Sequence, residues 1–429
     1  MNLRVKKVAG NTLFQLAGKA VSITCSLLAT ALITRRFGEN GYGLFALMTT
    51  FAAYFYLVVD FGINAIVIRA VTENKEKIAD YFRNLYTFRF LFSLVIFLVV
   101  LCLLPRINFK TSELSLVRWG IAISLFTVIS QSLYISANAI FQKISRYDLS
   151  NLALTAGNIL ALLLTLLFLF LGKDLLWMVG ATVVGAFLSV AFSFALIRPF
   201  VHSLRPSFET KVWKEILLPS LPVGLGLITM VIMAKTDMFL LSTITLPSAL
   251  GYTNGQALGF YGLAYKVFET ALVFPTFFIN ALYPLLLEDH FSDREKLKNT
   301  VKKSALFLFL IGLVAAIVGI IFAPFAITVL GGSRFLPAVA PLQILLLSLP
   351  IFFPSALFVW LLVTLGREKY LPLIYAFGSV FNIAGNLYFI PRYGFLASAW
   401  LTGITEVIVT VLTAYLSLKI LFAKEGSRA

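Results

Sequence analysis

The chain has 429 residues, of which 60% are hydrophobic and 13% charged, with a formal charge of +16 and a mean hydropathy of +0.93. A soluble globular protein is about half apolar and a quarter charged, so composition excludes an ordinary water-soluble fold and makes lipid the solvent for most of the surface. The basic excess lies in short gaps between apolar runs. It therefore reads as topology and anionic lipid headgroups and not as nucleic-acid binding.

In chain order, the N-terminus carries Arg4, Lys6 and Lys7 before an apolar stretch that contains Gln15 and Lys19 and runs to Thr34. That is too long for a signal-peptide core and has no clear cleavage site, so it reads as a first spanning helix. A bilayer core of about 30 Å needs roughly 20 helical residues, and runs of that length recur near 11–34, 43–70, 82–104, 117–141, 150–172, 176–198, 215–243, 259–287, 303–330, 337–364, 371–389 and 393–422. The runs are continuous and not alternating, which requires helices and excludes a barrel.

Lys and Arg number 22 in the gaps on the side holding both termini and 8 on the other. The asymmetry predicts a multi-pass plasma (inner) membrane protein with both termini cytoplasmic. No gap is long enough to hold a soluble domain. Pro219, Pro222, Gly224 and Gly226 in the seventh run, Pro275 in the eighth, and Pro341, Pro350 and Pro354 in the tenth predict bends.

An internal echo divides the chain. Phe61-Gly-Ile-Asn64-Ala65 near the end of the second run matches Phe277-Phe-Ile-Asn280-Ala281 near the end of the eighth at four of five positions. Each is preceded by Tyr-Gly-Leu, at Tyr42–Leu44 and Tyr261–Leu263. The expected architecture is an all-α integral membrane protein of twelve transmembrane helices in two six-helix lobes, related by a parallel pseudo-two-fold repeat. The lobes would be 1–198 and 215–429, with a cytoplasmic linker at 199–214. Transporters place substrate at the interface of such repeats.

No P-loop, dinucleotide fingerprint or serine nucleophile elbow is present in the sequence, so nucleotide hydrolysis by a P-loop is excluded and no catalytic residue is expected. Cys25 and Cys102 lie in apolar runs and read as packing residues. His202 and His290 lie in connectors, and no cluster has metal-ligand spacing.

Ionisable side chains inside a membrane mark a cavity, a relay or an ion pair. The candidates are Lys19, Asp60, Arg89, Lys235, Asp237, Lys266, Glu269 and Glu406. Lys266 and Glu269, three apart, can share a helix face; Lys235 and Asp237, two apart, point to different faces and need partners elsewhere. Interhelical salt bridges are the structural alternative. The amides Asn64, Asn138, Asn158, Asn280, Asn382 and Asn386 read foremost as helix–helix glue. The charged set is balanced, four positive and four negative, which fits a wet cavity where carboxylates exchange a coupling cation or proton.

Val8-Ala-Gly-Asn11-Thr-Leu-Phe-Gln15, Thr34-Arg35-Arg36-Phe-Gly38-Glu-Asn-Gly41-Tyr42-Gly43-Leu44-Phe45-Ala46, Lys235-Thr-Asp237-Met-Phe-Leu-Leu and Gly259-Phe-Tyr261-Gly-Leu-Ala264-Tyr265-Lys266-Val-Phe-Glu269 together resemble Wzx-type polysaccharide flippases. These belong to the multidrug/oligosaccharidyl-lipid/polysaccharide exporter superfamily. The resemblance implies a non-enzymatic transporter working by alternating access. It would flip lipid-linked oligosaccharides on a polyprenyl (pyro)phosphate carrier from the cytoplasmic to the outer leaflet, with membrane lipids as its other partners.

Lys19, Arg35, Arg36, Arg89, Lys235 and Lys266 are then the expected substrate-binding residues. Asp60, Asp237, Glu269 and Glu406 are the expected ion-coupling residues, with Na⁺ or H⁺ as coupling ion and no cofactor. Twelve spans in place of fourteen point away from the lipid II flippase branch. The competing functions are a Na⁺/H⁺-coupled multidrug or cation antiporter of the same superfamily and a membrane-embedded glycan polymerase or glycosyltransferase. The longest outer loop, Ile244–Leu258, has no acid, which disfavours the last.

Overall fold

The computed structural model describes residues 3–63, 78–144, 146–201 and 205–422. Among them there is no strand. Fourteen α-helices follow in order: α1 Leu3–Asp60, α2 Ile78–Leu103, α3 Leu114–Ser124, α4 Phe126–Lys143, α5 Tyr147–Phe170, α6 Leu175–Ile197, α7 Thr210–Thr243, α8 Asn254–Ala271, α9 Val273–Ser292, α10 Arg294–Gly331, α11 Val339–Leu347, α12 Leu349–Thr364, α13 Leu371–Tyr393 and α14 Phe395–Phe422.

Ten helical stretches among the described residues are long and apolar enough to cross a membrane, eleven if the bent pair Ser333–Leu347 and Leu349–Thr364 is one span. Leu313, Val314, Ile317, Val318, Ile321, Phe322 and Phe325 of α10 are all exposed. In water such a face would be an aggregation site; in lipid it is the expected outer surface.

The breaks have local causes. α1 is interrupted at Gly38, whose φ of 67° and ψ of −169° lie outside the helical region and suit a residue without a Cβ. Within the run predicted over 43–70 the helix is interrupted after Asp60, where Phe61 (φ 47°) and Gly62 (φ 68°) are both left-handed. Beyond Ile63, the expectations for Asn64 and its neighbours lie outside the described residues.

The run 117–141 divides into α3 and α4. There Ser124, Thr127 and Ser130 each return their hydroxyl to the carbonyl three residues back, the competition with the helical ladder that bends helices. The run 259–287 divides at Leu272, three residues before Pro275. The tenth run divides at Ser348, with Pro350 in the first turn of α12 and a 45° bend. In both cases the proline withholds the N–H that would have continued the ladder. α7, by contrast, passes through Pro219 without a break.

The chain forms two compact units, Met1–Ile228 and Thr229–Ala429. In the first, α5 and α6 meet backbone to backbone. A Cβ on Gly157 would lie 2.3 Å from the Gly185 carbonyl oxygen, and one on Gly185 would lie 2.5 Å from that of Gly157. Small residues at a crossing are how membrane helices approach closely where no hydrophobic effect drives them together. The segment before α7 is fastened to α2. Glu209 N donates to Asn84 Oδ1 at 2.8 Å, Ser207 N to Thr87 Oγ1 at 3.2 Å and Arg83 Nε to Arg205 O at 2.7 Å.

In the second unit, Gly312 of α10 faces the α12 break, where a Cβ would meet Leu349 O at 2.8 Å. The Tyr-Gly-Leu triplets are buried alike in both units: Tyr42 and Leu44 in α1, Tyr261 and Leu263 in α8. The other echo is not preserved in backbone, since Phe61-Gly62 ends a helix and Phe277-Phe278 continues α9.

Candidate functional site

Among the described residues, each unit holds intramembrane charge. In the first, Arg89 projects from α2 to the end of α1. Its guanidinium donates to Asp60 Oδ1 at 2.7 Å and to the Asp60 carbonyl at 3.4 Å, and to Ser136 Oγ of α4 at 3.4 Å. Ser132 donates to the Arg89 carbonyl at 2.8 Å. The Arg89 side chain is wholly buried while that of Asp60 is 19% exposed, and Arg89 Nε is buried with no hydrogen-bond partner. The arrangement places a cation at the carbonyl end of α1, where the helix dipole favours it, just where Phe61 takes its left-handed conformation. Phe61 is received by Gly224 of α7, on which a Cβ would lie 2.6 Å from the ring.

The second cluster is built on Asp237 of α7, which is 2% exposed. Tyr261 of α8 donates to its Oδ2 at 2.7 Å, Thr402 of α14 to the same oxygen at 2.5 Å, and Asn386 of α13 to Oδ1 at 2.8 Å. Asn386 Nδ2 also lies 3.0 Å from Asn382 Oδ1, and Ser398 donates to Asn386 Oδ1 at 2.8 Å. All three donors are neutral, and among the described residues no Lys or Arg pairs with this carboxylate. Two carboxylate oxygens, an amide oxygen and hydroxyl oxygens therefore converge from four helices, a donor set that suits a hard monovalent cation or a proton.

Two residues before Asp237 and on a different face, Lys235 pairs with Glu269 of α8 and lies 4.9 Å over the ring of Tyr265. This pair is part-exposed, at 26% and 39%. Glu406 of α14 is 7% exposed, with the Ser355 hydroxyl of α12 facing it and no cation paired to it among the described residues.

The structure thus joins Arg89 to Asp60 and Lys235 to Glu269, and leaves Asp237 and Glu406 among neutral groups. Lys266 is half-buried on α8; Lys19, Arg35 and Arg36 are exposed on α1. Asn138 behaves as helix–helix glue, accepting from Ser150 at 2.7 Å, whereas Asn382 and Asn386 belong to the carboxylate cluster. The residues that sequence reasoning did not single out there are Tyr261, Ser398 and Thr402. For Ser398 and Thr402 the signal was their four-residue spacing beside that of Asn382 and Asn386, which gives two polar pairs, each on one helix face. Among the described residues no group of three His, Cys, Asp or Glu side chains could hold a metal ion.

Residues 8–290 match the model of a family described as polysaccharide biosynthesis protein. No curated protein matches the sequence. Among solved structures, an inward-facing multidrug resistance MATE family transporter of the MOP superfamily superposes with a TM-score of 0.79 at 16% identity, over 97% of this chain and 100% of that one. The lipid II flippase MurJ in an inward closed conformation gives 0.77 at 15% identity, over 95% and 89%. A MOP superfamily transporter from Pyrococcus furiosus, titled for the reverse polarity of its binding pocket, gives 0.65 at 18% identity, over 98% and 97%. At these identities the likeness establishes a shared fold.

Proposed function

The chain belongs to the polysaccharide biosynthesis protein family, and on that premise we propose that it flips a lipid-linked oligosaccharide precursor from the cytoplasmic to the outer leaflet of the plasma membrane. The observation that carries this reading is the family match over residues 8–290 on a chain with the fold of MOP transporters along nearly its whole length. The polyprenyl tail stays in lipid, the glycan crosses in a polar passage, and its phosphate meets a cation from the set Lys19, Arg35, Arg36, Arg89, Lys235 and Lys266.

Within this reading Lys235 is the first choice for the phosphate, because it is part-exposed and pairs with a carboxylate whose place a phosphate oxygen can take. Arg89 is fully buried against Asp60 and holds the end of α1 in place.

Twelve spans, in two six-helix lobes repeated in parallel with both termini cytoplasmic, complete the proposal. It is supported by the 44-residue stretch Ala17–Asp60, about 66 Å of helix at 1.5 Å per residue, twice a bilayer core and interrupted at Gly38. Coupling to Na⁺ or H⁺ is assigned to the carboxylates Asp60, Asp237, Glu269 and Glu406. Asp237 has the strongest case, being an anion offered only neutral donors.

The test is translocation of a defined polyprenyl-pyrophosphate-linked sugar by the purified protein in liposomes, read by protection of the sugar from an external glycosidase or lectin. Transport dependent on protein and on an imposed cation gradient is expected; no translocation of any lipid-linked sugar would refute the reading. The second reading, a cation-coupled antiporter of small organic molecules, is favoured by the MATE likeness. It predicts gradient-driven efflux of tail-less dyes by the same vesicles.

A further inference from the structure

We propose that Asn280 of α9 is a sugar-binding residue, whose unpartnered carboxamide, beside a main-chain carbonyl released by Pro284, takes the hydroxyls of a neutral glycan. The inference rests on the lipid-linked-saccharide reading above. It deepens that reading by naming where the glycan, as distinct from its phosphate, is held.

The sequence groups Asn280 with amides expected to join helices, and several of these do so. Asn138 accepts from Ser150 of α5, Asn382 donates to Thr405 of α14 and Asn386 donates to Asp237 of α7. Asn280 behaves differently. It is exposed, and among the described residues its side chain has no hydrogen-bond partner. An amide without a partner in hydrocarbon is costly, so this side of α9 meets water or a polar ligand and not lipid tails.

The packing of α9 shows which side that is. Phe274 stacks on Phe353 of α12 at 5.7 Å and Phe278 on Phe307 of α10 at 5.2 Å. Pro275, Ile279 and Leu286 are buried. At about 3.6 residues per turn, Thr276 and Asn280 fall on the other side of the helix, and both are exposed.

The backbone adds a second acceptor. Pro284 lies inside α9, and proline has no N–H to return to the carbonyl four residues back. That carbonyl belongs to Asn280. One residue therefore offers two amide hydrogens, an amide oxygen and a main-chain oxygen that has lost its helical donor. One turn earlier, Thr276 donates its hydroxyl to the Leu272 carbonyl at 3.0 Å and keeps lone pairs to accept.

This set of groups selects its ligand. A phosphate needs donors and positive charge, and the oxygens here repel it. An organic cation has no use for the amide hydrogens. Neighbouring sugar hydroxyls each give and accept a hydrogen bond, and a carboxamide flanked by a carbonyl answers both.

Its placement agrees. α8 and α9 together make the apolar stretch Asn254–Ser292. Along it Glu269, Thr276 and Asn280 are seven and four residues apart, two turns and then one, so they share a side. Glu269 pairs with Lys235, the residue assigned above to the phosphate. Asn280 lies about 16 Å farther along at 1.5 Å per residue, past the first sugar and where the rest of the glycan follows.

The test uses the full-length protein in proteoliposomes with two probes, a polyprenyl pyrophosphate carrying a tetrasaccharide and the same carrier with one sugar. Flipping of each at limiting concentration gives the preference for the longer glycan. Asn280→Leu, close in size but without polar atoms, should lower that preference about tenfold, the effect of losing two hydrogen bonds. Asn280→Gln should keep most of it. Melting of Asn280→Leu in detergent should match wild type, since the amide holds no other helix. If wild type flips both probes and Asn280→Leu keeps the wild-type preference, the sugar site is overturned and the flippase reading stands. A lowered melting temperature in Asn280→Leu makes the amide a structural partner and also overturns the site. A wild type that flips neither probe overturns the flippase reading, and the site falls with it.

Discussion

Arg89 and Asp60 form a 2.7 Å ion pair in which the cation is wholly buried and the carboxylate keeps 19% of its surface open. Removing either partner has different consequences. Asp60→Asn strands a buried guanidinium and should destabilise the protein by about 3–5 kcal/mol, the cost of an uncompensated buried charge. Arg89→Met leaves a carboxylate that still reaches the surface and should cost less. The double variant should recover most of the Asp60→Asn loss. Thermal unfolding in detergent, followed by fluorescence-detected size exclusion, orders the three; equal losses in all of them would show that the pair does not act as a unit.

The Lys235–Glu269 pair makes the opposite prediction. Part-exposed ion pairs contribute about 0–1 kcal/mol, so Lys235→Ala should leave unfolding temperature nearly unchanged. If Lys235 receives the lipid phosphate, the same variant should lose most flipping of a pyrophosphate-linked sugar, and Lys235→Arg should retain it. Transport in Lys235→Ala equal to wild type would remove Lys235 from the substrate site.

At Asp237 the expected phenotype is loss of coupling. Asp237→Asn keeps the shape but replaces the anion, so gradient-stimulated transport should disappear. Tyr261→Phe and Thr402→Val each remove one of three donors, a net loss of about 1 kcal/mol apiece, and should weaken the response without abolishing it. Flux measured under graded cation gradients distinguishes a shifted dependence from a lost one.

The Gly157–Gly185 crossing gives a purely structural test. A methyl at either position would sit within 2.5 Å of a backbone oxygen, so Gly157→Ala or Gly185→Ala must separate α5 from α6, at a cost of about 1–3 kcal/mol for overpacking. Gly180→Ala, on the same α6 with nothing within 4 Å of its Cβ position, is the control and should melt like wild type or slightly above it. Melting curves of the three variants decide the matter.

Some of this was open to sequence reasoning and some was not. Helical membrane spans, their order and the shortlist of intramembrane charges follow from run length and from the cost of charge in lipid, because those depend on each segment alone. The tenth run was marked by Pro350 and duly bends; the division at Leu125, with no proline nearby, was not foreseen, since back-bonding serines and threonines are common in unbroken helices too. Lys266 was the sequence neighbour expected for Glu269, and the structure pairs Glu269 with Lys235 of another helix, a choice that helical spacing has no means to register.

By itself, then, the sequence determined the solvent, the helical class and the presence of acids and bases where lipid forbids them, since each of these is a property of composition and local periodicity. Only the tertiary structure decided which charges cancel, as Arg89 and Asp60 do, and which stand among neutral donors, as Asp237 and Glu406 do. The reason is geometric: a partner for a buried charge is supplied by a different helix, and the rotation of one helix against another is fixed by packing such as that at Gly157 and Gly185 and not by any pattern along one segment.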